Sequence, residues 1–152
     1  MFFRGASVLS LDAKGRFAIP TRYRDEIMEL SAGNLVITAD PDKCLLIYPT
    51  PTWEDIQRDL QKMPALKPHS RDIQRLFIGY ATDCEMDAQG RVLVPQPLRD
   101  YANLDTQVVL IGQGKKFELW DENRWNEKTK VWQQGGMLRP EDIIDELAHV
   151  IL

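Results

Sequence analysis

Two aspartate–arginine pairs are the residues of this chain best placed to do chemistry. Asp12 and Arg16 enclose Ala-Lys-Gly, and Asp87 and Arg91 enclose Ala-Gln-Gly. An aspartate can bond its own backbone two residues on, and a following glycine can take the positive φ that closes a tight hairpin. Gly15 and Gly90 therefore mark two turns. The arginine directly after each turn has two possible uses. It can pair with the aspartate four residues earlier and brace the turn, or it can offer its planar donor fork to a guanine edge or a phosphate. Spacing alone leaves both open. Lys14 adds a phosphate-seeking charge to the first tip. Gln89 replaces it in the second, where Asp83, Glu85 and Asp87 crowd the strand, so the two tips are expected to be unequal.

These pairs sit inside a longer repetition. LDAKGRFAIPTRYRD over 11–25 returns as MDAQGRVLVPQPLRD over 86–100, with seven of fifteen positions identical. An internal duplication explains this better than chance. In the first copy Val8 and Leu11, then Phe17 and Ile19, suit half-buried strands flanking the turn. Pro20 ends the strand and pre-sets a helix, whose Tyr23, Ile27 and Leu30 recur at helical spacing until Ala32-Gly-Asn34 stops it. Strands are expected over Leu35–Ala39 and Cys44–Tyr48. The second copy repeats the order with strands near Tyr80–Met86 and Arg91–Val94, a helix over Gln96–Ala102, and strands over Gln107–Gly112 and Lys116–Trp120. Helices are expected over Trp53–Met63, Ser70–Gly79, Asn123–Gln133 and, after Gly135-Gly136, Glu141–Ile151.

The organisation predicted is repeat 1 over 5–52, a helical connector over 53–79, repeat 2 over 81–124 and a C-terminal helical extension over 125–152. Four short strands per copy make too little sheet for a good core. Two copies closing on each other as a pseudo-two-fold barrel would remove exposed edges. The predicted class is α+β, dominated by β, with flanking helices.

With 152 residues, 43% of them hydrophobic, the chain has the composition of a globular protein. It has no apolar run of about 18 residues and no signal-peptide pattern near its N-terminus, so the cytoplasm is the expected compartment. Cys44 and Cys84 fit reduced, buried thiols, and His69 and His149 are isolated from them, so no zinc site, other metal or cofactor is expected. Between Met1 and Asp25, Arg4, Lys14, Arg16, Arg22 and Arg24 outnumber Asp12 and Asp25, whereas 121–152 holds seven acids against four bases. That asymmetry suggests one basic working face and an acidic flank.

Enzyme readings fare poorly. Duplicated halves with an aspartate in each turn suggest an aspartic protease, but there the glycine follows two residues after Asp, not three, and a neighbouring arginine opposes a shared proton. No phosphate loop, metal-binding helix or nucleophile elbow is present. A barrel whose main partner is another protein would look much the same in sequence. The duplicated basic-tipped hairpin favours DNA.

Asp-x-x-Gly-Arg-x-x-x-Pro followed by a short helix resembles the AbrB/SpoVT swapped-hairpin DNA-binding motif. Its tandem duplication resembles the MraZ family of bacterial transcriptional regulators. The likeness extends through Phe3-Arg-Gly-Ala6, Leu45-Leu-Ile-Tyr-Pro49 and Phe117-Glu-Leu-Trp-Asp121. It implies a swapped-hairpin, double-split barrel and a sequence-specific regulator, a repressor also of its own gene, at the promoter of the division and cell-wall gene cluster. It further implies double-stranded DNA with short direct repeats as partner, a ring-shaped homo-oligomer, and association with the nucleoid. Carried over by position, the family signature falls on Asp12, Arg16, Asp87 and Arg91. Lys14, Gly15 and Gly90 complete the expected DNA-binding tips, with Arg4 and Arg22 as further basic candidates.

Overall fold

The computed structural model describes residues 2–135 and 150. The first copy forms β1 (Phe3–Ser10), β2 (Arg16–Ala18), α1 (Thr21–Ser31), β3 (Asn34–Ala39) and β4 (Leu45–Pro49), followed by α2 (Thr50–Gln61) and α3 (Pro68–Phe77). The second forms β5 (Thr82–Glu85), β6 (Arg91–Leu93), α4 (Gln96–Tyr101), β7 (Gln107–Gly114) and β8 (Phe117–Asp121), followed by α5 (Glu122–Gln133). The helix expected over Glu141–Ile151 falls almost entirely outside the described residues, as does Gly136.

Proline punctuates both copies in the same way. Pro20 and Pro95 are the residues before α1 and α4, with φ of −52° and −58°, so each cuts its strand at three residues and starts a helix. β1 and α2 begin earlier than their patterns suggested. β1 begins at Phe3, because its whole length pairs with β7, from Phe3 opposite Gly114 to Ser10 opposite Gln107. α2 begins at Thr50, ahead of the expected Trp53, with Pro51 in its first turn.

Strand pairing crosses between the copies. The order β1-β7-β8-β4-β3-β5 makes one six-stranded sheet among the described residues, so the first strand of each copy lies against the third strand of the other. β2 and β6 pair only with each other, antiparallel, with Phe17 opposite Val92 at the centre. The expected closed barrel is therefore corrected. The sheet is open, with β1 and β5 at its edges, and the remaining strands form a separate two-stranded ribbon. Three-residue strands bounded by a turn and a proline have too few backbone groups to ladder onto the large sheet as well as onto each other.

One core fills the space these elements enclose. It mixes Phe17, Ile19, Ile27, Leu35 and Leu45 of the first copy with Val92, Val94, Leu98, Leu110 and Phe117 of the second, and Phe3 stacks on Phe117 at 4.2 Å. A second cluster lies on the other face of β3 and β4, where Val36, Leu46 and Tyr48 pack with Trp53 of α2. This explains why β3 and β4 are apolar on both faces. The buried Thr38 hydroxyl donates to the Phe77 carbonyl at 2.6 Å, and Gln74 Nε2 to the Leu60 carbonyl at 2.9 Å, tying α3 to the sheet and to α2. The chain divides into two compact units between Asp121 and Glu122. Both copies thus belong to one unit. In the second unit α5 carries Trp125 and Trp132, whose rings meet edge to face at 5.6 Å.

Candidate nucleic-acid interface

The two turns are built alike, bond for bond. At the first, the Gly15 N–H donates to the Asp12 carbonyl at 3.0 Å and the Asp12 N–H to the Arg16 carbonyl at 2.8 Å, closing a three-residue loop. Gly15 has φ of 85°, which favours glycine there. The Asp12 carboxylate fills the concave side of the loop. Its Oδ1 accepts the backbone N–H groups of Lys14 and Arg16, each at 2.9 Å, and its Oδ2 accepts Arg16 Nε at 2.8 Å. At the second turn Asp87 Oδ1 accepts Gln89 N–H at 2.9 Å and Arg91 N–H at 2.8 Å, and Oδ2 accepts Arg91 Nε at 2.8 Å. Gly90 has φ of 78°.

These bonds stabilise the charged carboxylates. The Arg16 backbone N–H does most to hold the Asp12 carboxyl well below its ordinary range, at about 2, with the Arg16 side chain and Lys14 N–H adding to it. The Arg91 backbone N–H lowers Asp87 in the same way.

The brace and the outward fork, open alternatives in the sequence, use different parts of one guanidinium. Nε of Arg16 faces Asp12, while its terminal nitrogens make no hydrogen bond among the described residues and the side chain is 29% exposed. Arg91 is engaged further, since its Nη2 also donates to Gln89 Oε1 at 3.3 Å. The ribbon register puts Arg16 opposite Leu93 and Ala18 opposite Arg91. Side chains alternate along a strand, so with Phe17 and Val92 buried beneath, Arg16, Ala18, Arg91 and Leu93 share the outer face. The structure thus brings together Asp12, Lys14, Gly15 and Arg16 at one end of the ribbon and Asp87, Gly90 and Arg91 at the other.

Arg4 and Arg22 lie elsewhere. Arg4 is exposed near the start of β1, six residues and therefore about 20 Å of extended strand before Ser10. Arg22 is occupied: its Nη2 donates to Ser7 Oγ and to the Tyr23 hydroxyl, both at 2.9 Å, and its guanidinium sits over the Tyr23 ring. Spacing did not single out Ala18 or Leu93, the latter 48% exposed and opposite Arg16 on the ribbon face. The signal available was period-2 alternation around Phe17 and Val92.

Two duplicated hairpins, joined through a cross-copy ribbon that carries a braced arginine from each, define a class of β-rich, two-repeat proteins rather than an enzyme cleft. Among the described residues no group of His, Cys, Asp and Glu is arranged to hold a metal, and no helix is long and apolar enough to cross a membrane. The family described as "MraZ protein, putative antitoxin-like" matches twice, over residues 2–76 and 77–135. The "Transcriptional regulator MraZ" of Thioalkalivibrio sulfidiphilus is 50% identical over 148 residues, covering 96% of this chain and 99% of that protein. Those of Nitrosomonas europaea and Pseudomonas aeruginosa are 52% and 48% identical, covering 91% and 99% of this chain and 95% and 99% of their own lengths. The chain belongs to the MraZ family, whose curated members at this similarity are named as transcriptional regulators, not enzymes.

Proposed function

We propose that this protein is a sequence-specific DNA-binding regulator of transcription whose reading surface is the outer face of the β2–β6 ribbon. The observation that carries this is the placement of Arg16 and Arg91 on one exposed face, each locked by an aspartate through Nε. A two-stranded ribbon fits the major groove, and an arginine with its Nε edge fixed is pre-oriented for a guanine edge or a phosphate. The hairpins that exchange their second strands are read as the swapped-hairpin arrangement of the AbrB/SpoVT motif. Lys14 supplies a charge to the first tip only, so the Arg16 end binds more strongly than the Arg91 end.

In this reading the protein works in the cytoplasm, on the nucleoid, as a repressor that includes its own gene among its targets. It acts on short direct repeats at the promoter of a division and cell-wall gene cluster. One chain has a single strong tip, so a ring of identical chains engages several boxes at high effective concentration. The test is footprinting of the purified protein on DNA upstream of its own gene. Regularly spaced protected boxes that vanish with Arg16→Ala are expected; unprotected DNA with a folded protein refutes the reading.

A further inference from the structure

We infer that Arg24 and Arg99 are positioning residues that act across the duplication, each holding the hairpin tip of the other copy. Arg99 holds the Arg16 tip and Arg24 holds the Arg91 tip. The consequence for DNA rests on the function proposed above; the contact itself does not.

Gly15 and Gly90 are buried although Lys14 and Gln89 beside them are exposed and Arg16 and Arg91 are half-buried. What covers them comes from the opposite copy. A Cβ placed on Gly15 would lie 2.5 Å from Cζ, 2.6 Å from Nη1 and 2.7 Å from Nε of Arg99. Three guanidinium atoms at nearly equal distance mean that the planar group turns its face to the glycine. A Cβ on Gly90 would overlap Nε and Cζ of Arg24 in the same way. The duplicated glycines therefore supply the positive φ of each turn and leave room for the arginine that lies on them.

The backbone bonds run in the same direction. Val94 N–H donates to the Gly15 carbonyl at 2.9 Å, and Ile19 N–H to the Gly90 carbonyl at 2.8 Å. Arg24 completes its clamp, since its Nε donates to the Ile19 carbonyl at 2.7 Å. Gly90, Ile19 and Arg24 thus form a closed cycle of contacts. Arg99 has no such bond: its Nε is buried with no hydrogen-bond partner among the described residues. The two clamps share one plan, but only the one on the Arg91 tip is closed. The Arg16 tip, which also carries Lys14, is held by packing and by backbone bonds to the other copy without a hydrogen bond from its clamping arginine, and is the tip freer to adjust on DNA.

Three measurements on the full-length chain test this. Without DNA, hydrogen exchange read by mass spectrometry should accelerate over 13–16 in Arg99→Ala and over 88–91 in Arg24→Ala, each leaving the other tip unchanged. Arg99→Lys, which keeps the charge but not the planar fork, should behave like Arg99→Ala and serves if the alanine variant does not fold. With operator DNA, Arg99→Ala should weaken binding about tenfold, the scale of one lost base contact, at an unchanged salt slope. A double-mutant cycle should show Arg99 coupled to Arg16 and additive with Arg91. Loosening of the tip in the same copy, of neither tip, or a salt slope reduced by about one (a direct phosphate contact) overturns the inference. Loosening of the predicted tip with unchanged operator affinity upholds the clamp and sinks the DNA-reading role of the tips.

Discussion

A single carboxylate organises each tip. Asp12 accepts two backbone N–H groups and one guanidinium N–H, so its negative charge is stabilised in the folded chain and its pKa falls to about 2. A depressed carboxylate pKa adds stability that is present above the unfolded value of about 3.9 and is lost as pH falls through the folded value. Asp12→Asn should therefore lower the melting temperature at pH 5–7, and the gap to the unaltered protein should close between about pH 4 and pH 2. A gap independent of pH would mean that the charge contributes nothing. Gly15→Ala meets both a positive φ and the Arg99 guanidinium, and should destabilise by more than about 1 kcal/mol in chemical denaturation. Arg16→Ala should cost about 1–3 kcal/mol of operator binding for each engaged tip and Arg91→Ala less, because Gln89 Oε1 already accepts one of the terminal N–H groups of Arg91. Equal losses at the two tips would mean that they bind alike.

At the scale of elements, the ribbon and the helical cap are separable. Phe17 and Val92 anchor the ribbon from beneath, 1% and 0% exposed, while Trp53 anchors α2 on the far face of the sheet against Tyr48 at 5.5 Å. Trp53→Ala should cost about 3–5 kcal/mol of stability, the range for a large buried aromatic, yet leave operator affinity unchanged where the protein remains folded. Calorimetry and gel shift together check this. A loss of affinity at full folding would mean that the helical cap helps to set the ribbon.

For the whole molecule, the crossing of strands makes the two copies one folding unit. β1 finds its partner in β7, β3 in β5, and β2 in β6. Fragments divided between Gly79 and Tyr80 would each expose unpaired strands and half of the main core. Neither should melt cooperatively alone, and mixing them should restore one transition. Two independently cooperative halves would contradict the shared core. The proposed ring adds a spacing rule. Boxes about 10 base pairs apart face one side of the duplex, so inserting about five should abolish most of the gain in affinity from a second box. Gel-shift titration on one- and two-box operators measures it, and equal affinity on both would end the multivalent proposal.

Much of this protein is determined by its sequence alone, because the interactions concerned are local. The turns at Gly15 and Gly90 and their bracing aspartates need only neighbours within four residues. The helices after Pro20 and Pro95, and the apolar β3 and β4, follow from backbone restriction and side-chain spacing. The duplication itself is visible at seven identical positions. The partner of each strand is not legible, because a duplicated chain offers every strand two near-equivalent mates, one in its own copy and one in the other. Tertiary packing made that choice, joining Phe17 to Val92 and opening the expected barrel into a sheet and a ribbon. It also decided what Arg24 and Arg99 touch. Both are repeated in the sequence at the same helical position, but a guanidinium at the end of a long side chain has many neighbours within reach. Only the crossing of the copies sets each one on the other's glycine.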